Sequence, residues 1–523
     1  MVGQESAERQ QSRGRVVMLV DNAVDGDSRV QKAARSMAEA GWTVTLIGLS
    51  RDTRHRSWRI GEAQVKLLPY RRELRRNKQH LKRSRLRYPL SCPPGSTAQR
   101  RLQLAQARRA DLRARGVAEK RRFPVRRLVA RIGLRWAGLR LRQTEDAWAA
   151  AGNMDRPYAR MVTAFWKTVR GRRCWRRLEP LLWSYELALG HTIDKLAPDL
   201  IHANDFRMLG VAARAKLRAR AAGRDVKLVW DAHEYLPGLV APNARWMTAQ
   251  CAHEREYAPH ADAVVTVSDG LGDLLVAEHG LAERPSIVMN APVRALTDDQ
   301  RDTPVDDLRE LCGIGPDTPL LVYCGGVAEQ RGVNIMVEAL PQLPGVHIAL
   351  VSLHKGKRNA DHLLDRAREL GVIDRVHALP YVPHWQVPEF LATADAAVSP
   401  LLHLPNHEIA LSNKFFEYSQ ARLPLVVSDI RTMAAKVRST GQGEVYEAAH
   451  LDDYLRAVRA VLADPGTYRA AYDVPGRLDE WTWEAQAEVL DDVYARLLPD
   501  VPRFPQPARE PSALASVAPM EVK

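Results

Sequence analysis

The chain has 523 residues, 46% of them apolar and 27% charged, with a formal net charge of +15 at pH 7. That length allows two or three domains with proper cores, and no apolar run approaches the ~18 residues a membrane-spanning helix needs. The five cysteines (Cys92, Cys174, Cys251, Cys312, Cys324) form no CxxC pair, which argues against a disulfide framework or a zinc site and for reduced thiols in the cytoplasm.

The first fifteen residues lack the apolar stretch of a signal peptide, and 1–14 reads as disordered. "RVVMLVDNA" (from Arg15) reads as a buried parallel strand, followed by a helix with Val30, Ala33, Ala34, Met37 and Ala38 on one face. Asp27 suits its N-cap and Gly41 its end. "WTVTLIGL" closes this βαβ unit. The alternation then stops near Tyr70 and resumes near Leu196 with "DLIHA", "VKLVWDAH", "ADAVVTVS" and "SIVMN", each followed by a helical or polar stretch.

The interval Arg71–Pro180 carries the whole positive excess: 32 Lys and Arg against 7 Asp and Glu, while the remainder holds 45 basic and 55 acidic residues. "RLQLAQARRADLRARG" and "FPVRRLVARIGLRWAGLRLR" place apolar and arginine side chains on different helical faces, as in helices that lie on anionic membrane surfaces. A solvated arginine-rich insertion has the same composition. Nucleic-acid binding is disfavoured, because few aromatics are interleaved and no recognition motif is present.

Residues 294–318, rich in Asp and Pro, read as a linker. A second alternating series follows: "PLLVYCGG", "VHIALVS", "VHALPYV", "DAAVSPL" and "PLVVSD". It gives a donor-side domain over 319–478, a last helix over 479–498 that could return to the first domain (15–293), and a Pro/Ala-rich disordered tail over 499–523. Strands alternating with helices, twice over, predict two doubly wound α/β domains. Ligands in such sheets sit beyond the carboxyl ends of the strands, and two turns there stand out. In "VYCGGVAEQRGVNIMVEAL", Gly325 and Gly326 let backbone approach a ligand, and Arg331 can hold a diphosphate. In "LSNKFFEYSQ", Ser412, Asn413 and Lys414 open a helix whose N-terminus attracts phosphate, and Glu417 can take two adjacent hydroxyls. A Ser-capped helix with a surface Lys–Glu pair would read the same way.

In this order and spacing the two turns resemble those of retaining glycosyltransferases of the GT-B fold, and more narrowly the family 4 group that uses nucleotide-diphospho-sugars. "DGDSRVQKAARSMAEAGWTVTL" resembles the family's opening pattern, and "DLIHANDF" and "VWDAHEYLP" resemble its acceptor-side turns. The resemblance implies two Rossmann-like domains facing across a cleft, with the basic segment inserted in the first. It implies a nucleotide-sugar donor, with Arg331 and Lys414 at the diphosphate, Glu417 at the ribose, and Gly325, Gly326, Ser412 and Asn413 beside them. Asp27, Arg29, Asp205, His233 and Glu234 fall on the acceptor side, and Asn204 and His202 near the transferred sugar. Three positions depart from the family pattern. Its first diphosphate-binding basic residue is replaced by Gly326 or Val327, its earlier glutamate falls on Ile409 with Glu408 one place away, and the second histidine of its "HxH" is Asn204.

The implied reaction is transfer of a glycosyl unit with retention, without a metal because no strand-end DxD pair is present. The implied acceptor is a lipid-linked or polymeric glycan at the inner membrane face. A nucleotide-sugar epimerase on the same fold, or a catalytically degenerate relative that binds lipid or nucleic acid, remain as alternatives.

Overall fold

The computed structural model describes residues 13–50, 54–70, 89–92, 97–118, 124–152, 157–351, 358–409 and 411–499. The termini read as disordered lie almost wholly outside these residues, as does 71–88 of the basic segment. Contacts divide the chain into two compact units, one of Met1–Arg71, Tyr185–Val240 and His253–Lys523, the other of Arg72–Ser184 with Ala241–Ala252.

The larger unit contains two sheets. The first is built from β1 (Arg15–Leu19), β2 (Thr43–Ser50), β3 (Arg56–Ile60), β4 (Ala63–Pro69), β5 (Leu200–Asn204), β6 (Lys227–Ala232), β7 (Ala263–Thr266) and β8 (Ser286–Ile287), in the order β3-β4-β2-β1-β5-β6-β7-β8. All neighbours are parallel except the β3–β4 hairpin at the edge. The inner strands are buried on both faces, which explains their continuous apolar runs: Val16 pairs with Val44 on one side and Leu200 on the other. The hairpin is unmarked in the sequence because "RSWRI" exposes most of its side chains and lies outside that core.

The second sheet comprises β9 (Leu320–Cys324), β10 (His347–Val351), β11 (Val376–Ala378), β12 (Ala396–Ser399), β13 (Leu425–Ser428) and β14 (Gly443–Tyr446), in the parallel order β11-β10-β9-β12-β13-β14. Strand β14 is missing from the sequence reading. It has four residues, two of them Gly and Glu, and its place depends on distant partners: Tyr446 packs edge-on against Tyr454, and Glu444 receives Arg456 and Tyr468.

The segment 294–318 is partly helical, with Thr297 and Gln300 forming a capping box and Leu308 fully buried in the second domain's core. The helix Trp483–Leu497 belongs to the core of the first sheet, where Trp483, Leu490, Val493 and Tyr494 pack with Val16, Met37 and Trp42. Its Asp491 receives hydrogen bonds from Arg13 (2.8 Å) and Trp42 (2.7 Å), and Trp483 donates to Ser36 (3.0 Å).

In the smaller unit, the helices Thr97–Ala118 and Pro124–Gly152 pack against each other. The second is held by Thr144, which accepts from the Cys92 amide (2.9 Å), and Arg140, which donates to the Leu90 carbonyl (3.0 Å). Val125, Val129, Ile132 and Trp136 are exposed, Trp136 to 52%. Among the described residues no helix is long and apolar enough to cross a membrane.

Candidate active site

The β9 turn is shaped by close approach. Gly325 has φ +126°, and a Cβ there would stand 2.9 Å from Cε and Nζ of Lys414. The lysine therefore lies directly over backbone that only glycine leaves open. Gly332 has φ +67°, and its Cβ would meet the Pro400 carbonyl oxygen at 2.0 Å, so the turn carrying Arg331 fits tightly against the end of β12. Among the described residues the Arg331 side chain has no hydrogen-bond or ion-pair partner.

The helix Asn413–Gln420 docks against the same strand end, with the Cys324 amide donating to the Tyr418 hydroxyl (2.9 Å) and Phe415 packing on Trp481. Ser412 occupies the N-cap but makes no capping bond, and its buried hydroxyl has no partner. Lys414 and Glu417 form no ion pair. Burial, and then the Arg331 guanidinium, lower the Lys414 pKa below the usual range for lysine. Burial raises the Glu417 pKa against the opposing pull of Lys414 and Lys32. The surface Lys–Glu pair that the sequence also allows is therefore not what forms. Instead two basic groups and one hydroxyl, none with a carboxylate partner, converge at the ends of adjacent strands.

A cleft of about 520 Å³ brings Arg331, Ser412, Asn413 and Lys414 together with Asp27, Arg29, His233 and Glu234 of the first domain. Gly325 and Glu417 adjoin it through Lys414, while Gly326, His202, Asn204 and Asp205 are outside its lining.

Those last residues show how the acceptor-side wall is built. The carboxylate of Asp231, at the end of β6, receives two bonds from Arg29 (2.9 Å each) and lies 3.2 Å from His233 and 3.5 Å from His202. Burial alone would raise the Asp231 pKa, but Arg29 and His233 hold it well below the usual carboxylate range. His202 faces the core, where Nδ1 is 2.6 Å from the Tyr494 hydroxyl, and Asn204 donates to the Leu19 carbonyl (3.1 Å). Neither residue is among those that line the cleft, beside which the resemblance implies a sugar-side position. Asp205 begins its helix at φ +67°, a strained conformation for a residue other than glycine. Burial pushes its pKa up to about 6 against the pull of His233 and Arg207. Asp27 caps the helix Ser28–Glu39, accepting from the Val30 amide (3.3 Å).

Three participants escaped the sequence reading. Asp231 is marked only as a carboxylate ending a buried strand. Lys32 is buried beneath the cleft, donating to the Ala291 carbonyl and lying 4.8 Å from the Trp483 ring. Burial, then Arg29, lower its pKa to about 7. His407 lines the cleft beside Arg331 and Lys414, in a loop with no distinguishing local pattern. Glu408 is instead engaged by His403 and the Arg431 amide, while Ile409 faces the cleft. Among the described residues no His/Cys/Asp/Glu cluster suits a metal ion.

Comparison with known proteins fits this geometry. Two family profiles match, Glycosyl transferases group 1 over residues 318–464 and Glycosyltransferase Family 4 over residues 148–293, together more than half of the chain. A glycogen synthase of Mycobacterium tuberculosis is 25% identical over 334 residues, 60% of this chain and 75% of the relative. A D-inositol 3-phosphate glycosyltransferase of Actinosynnema mirum is 25% identical over 256 residues, 46% of this chain and 59% of its own length. Among solved structures, sucrose-phosphate synthase of Thermosynechococcus elongatus gives a TM-score of 0.59 at 14% identity, covering 93% of this chain and 99% of that one. HepE of Anabaena, in complex with UDP and glucose, gives 0.56 at 12% identity over 92% and 100%. At such identities the structural likeness carries the fold alone.

Two parallel-sheet domains with facing strand ends define the GT-B architecture, and with the profile matches they define a glycosyltransferase. Within that class the chain belongs to the family 4 type, enzymes of the EC 2.4 class.

Proposed function

We propose that the cleft transfers a glycosyl unit from a nucleoside-diphosphate sugar to an acceptor hydroxyl with retention of anomeric configuration and without a metal ion. One observation carries this reading: Arg331 and Lys414 line a common space beside Ser412, and among the described residues neither cation is ion-paired to a carboxylate. Two neighbouring cations, one of them a lysine whose charged form burial and Arg331 disfavour, are stabilised by a diphosphate, whose charge grows as the glycosidic bond breaks. Groups already aimed at that charge lower the barrier without rearranging. The N-terminus of the helix Asn413–Gln420 adds its dipole in the same direction. Glu417, whose carboxylate has no hydrogen-bond partner among the described residues, receives the ribose hydroxyls.

On the opposite wall Asp27, His233 and Glu234 contact the acceptor. Arg29 and Asp231 hold that wall in place, and Asp205 lies behind it. UDP in the complex of the structurally similar HepE supports a nucleotide-linked donor.

The acceptor in this reading is a lipid-linked or polymeric glycan at the inner membrane face. The smaller unit supports it. Leu104, Val129 and Trp136 line an apolar groove of about 720 Å³ together with Arg101, Arg108 and Arg140, and anionic lipid would attract each arginine by about 1 kcal/mol. Thermal-shift screening of UDP-glucose, UDP-N-acetylglucosamine and GDP-mannose, with UDP and GDP as controls, tests the donor, since binding to the native state raises the melting temperature. Turnover in the presence of a chelator and proton NMR of the product anomer test the metal and the retention. Loss of pelleting with anionic vesicles on Trp136→Glu tests the membrane surface. No shift with any nucleotide would overturn the donor reading.

A further inference from the structure

The connection between β12 and the helix Asn413–Gln420 contains the short helix Pro405–Glu408, whose His407 lines the cleft. Its Nδ1 lies 2.7 Å from the Leu402 carbonyl oxygen. A carbonyl only accepts, so Nδ1 carries the hydrogen, and in the neutral ring Nε2 is a bare lone pair. Burial lowers the His407 pKa against the opposing pull of the Leu402 bond, and Arg331 and Lys414 add to the lowering against Glu408. The loop itself is anchored to the first domain by a reciprocal clamp, in which the Tyr235 amide donates to Asn406 Oδ1 (2.8 Å) and Asn406 Nδ2 donates to the Tyr235 carbonyl (3.1 Å). The Ser268 hydroxyl donates to the Ile409 carbonyl. Imidazole, cations and acceptor-side wall thus share one cleft, with the ring's orientation set by its surroundings.

A lone pair beside two cations is poorly suited to a diphosphate, whose oxygens are acceptors too. Its complement is a hydroxyl; two hydroxyl-bearing groups flank the diphosphate of such a donor, the ribose, given above to Glu417, and the transferred sugar. We propose that His407 determines donor specificity by accepting, at Nε2, a hydrogen bond from a hydroxyl of the transferred sugar. No carboxylate of this loop does so, since Glu408 is engaged elsewhere. The inference rests on the donor reading above.

Two substitutions separate the roles. His407→Asn keeps an N–H for the Leu402 carbonyl and removes the Nε2 acceptor. His407→Gln can place an amide oxygen where Nε2 stands. Calorimetric titration of UDP-glucose, UDP-N-acetylglucosamine and GDP-mannose, each against its own nucleoside diphosphate, is the measurement. For the sugar nucleotide that binds the wild type best, His407→Asn should weaken binding on the order of tenfold, the size of one hydrogen bond, and His407→Gln should recover most of it. Binding of the bare diphosphate should change less than about twofold in both. Equal loss for nucleotide and sugar nucleotide, no loss for either, or no recovery with glutamine would each overturn the inference while leaving the donor reading intact. A wild-type protein that binds none of the probes would overturn both.

Discussion

The two walls of the cleft treat charge in opposite ways. On the first-domain side the principal charges are paired within the protein: Arg29 forks onto Asp231, His233 lies against the same carboxylate, and Arg207 bonds Asp21 at 2.8 Å. On the other side burial and the Arg331 guanidinium lower the Lys414 pKa against a smaller pull from Glu417, and among the described residues neither cation is ion-paired to a carboxylate. A wall with satisfied charges offers shape and a few hydroxyl contacts, whereas a wall with unsatisfied positive charge offers a site for an anion. The proposed division of the cleft into a donor wall and an acceptor wall rests on this contrast.

That contrast can be broken at several points. The largest effect is expected at Asp231→Ala, which strands the buried Arg29 without a counter-ion. Urea unfolding should show about 3–5 kcal/mol of lost stability, and a value under 1 kcal/mol would mean that the network is less cooperative than its geometry implies. Next is Arg331→Ala, expected to lower kcat/KM about 10²-fold while leaving the melting temperature nearly unchanged. A large drop in stability there would mean the guanidinium is structural. Gly325→Ala should displace Lys414 and strain a backbone held at φ +126°, with roughly tenfold weaker diphosphate binding by calorimetry. Unaltered binding would remove the lysine from the site.

The smallest effect concerns pH. The Asp205 carboxyl has a folded pKa of about 6 against an ordinary 3.8, so the native state binds the proton more tightly than the unfolded chain does. Its contribution to stability is therefore lost as pH rises from about 4 to about 6. Asp205→Asn, which keeps a side chain tolerant of positive φ, should flatten that part of a melting-temperature profile and leave the variant relatively more stable above pH 6. A profile parallel to the wild type would refute the shift.

The two strand-end turns of the candidate site were legible because their signals are local. A glycine whose Cβ would strike Lys414 or Pro400, a basic residue just beyond a strand, and a serine, an asparagine and a lysine opening a helix all lie within short windows of sequence. The same holds for strands buried on both faces, which cannot be written without apolar runs. The surroundings of His202 and Asn204 were not legible because their partners are remote: Tyr494 is 292 residues from His202, and Leu19 is 185 from Asn204. Only the fold reveals that these bonds point into the core and away from the cleft. Lys32 and His407 were missed for the converse reason. A lysine within an amphipathic helix and a histidine in a polar loop are commonplace, and what distinguishes them is the Ala291 and Leu402 carbonyls that three-dimensional packing brings to them. The β3–β4 hairpin and β14 follow the same rule, being too short and too polar to carry a period of their own.

The helix Trp483–Leu497 has a consequence for how this polypeptide is made. Arg13 and Asp491, bonded at 2.8 Å, are 478 residues apart, and the helix fills the core beneath the strands that leave the ribosome first. The half built on the first sheet therefore stays incomplete until Trp483–Leu497 has been made, whereas the second sheet has every strand by Tyr446. Completion runs against the order of synthesis: of these two halves the one begun earlier is finished later, its open face exposed until that helix is released.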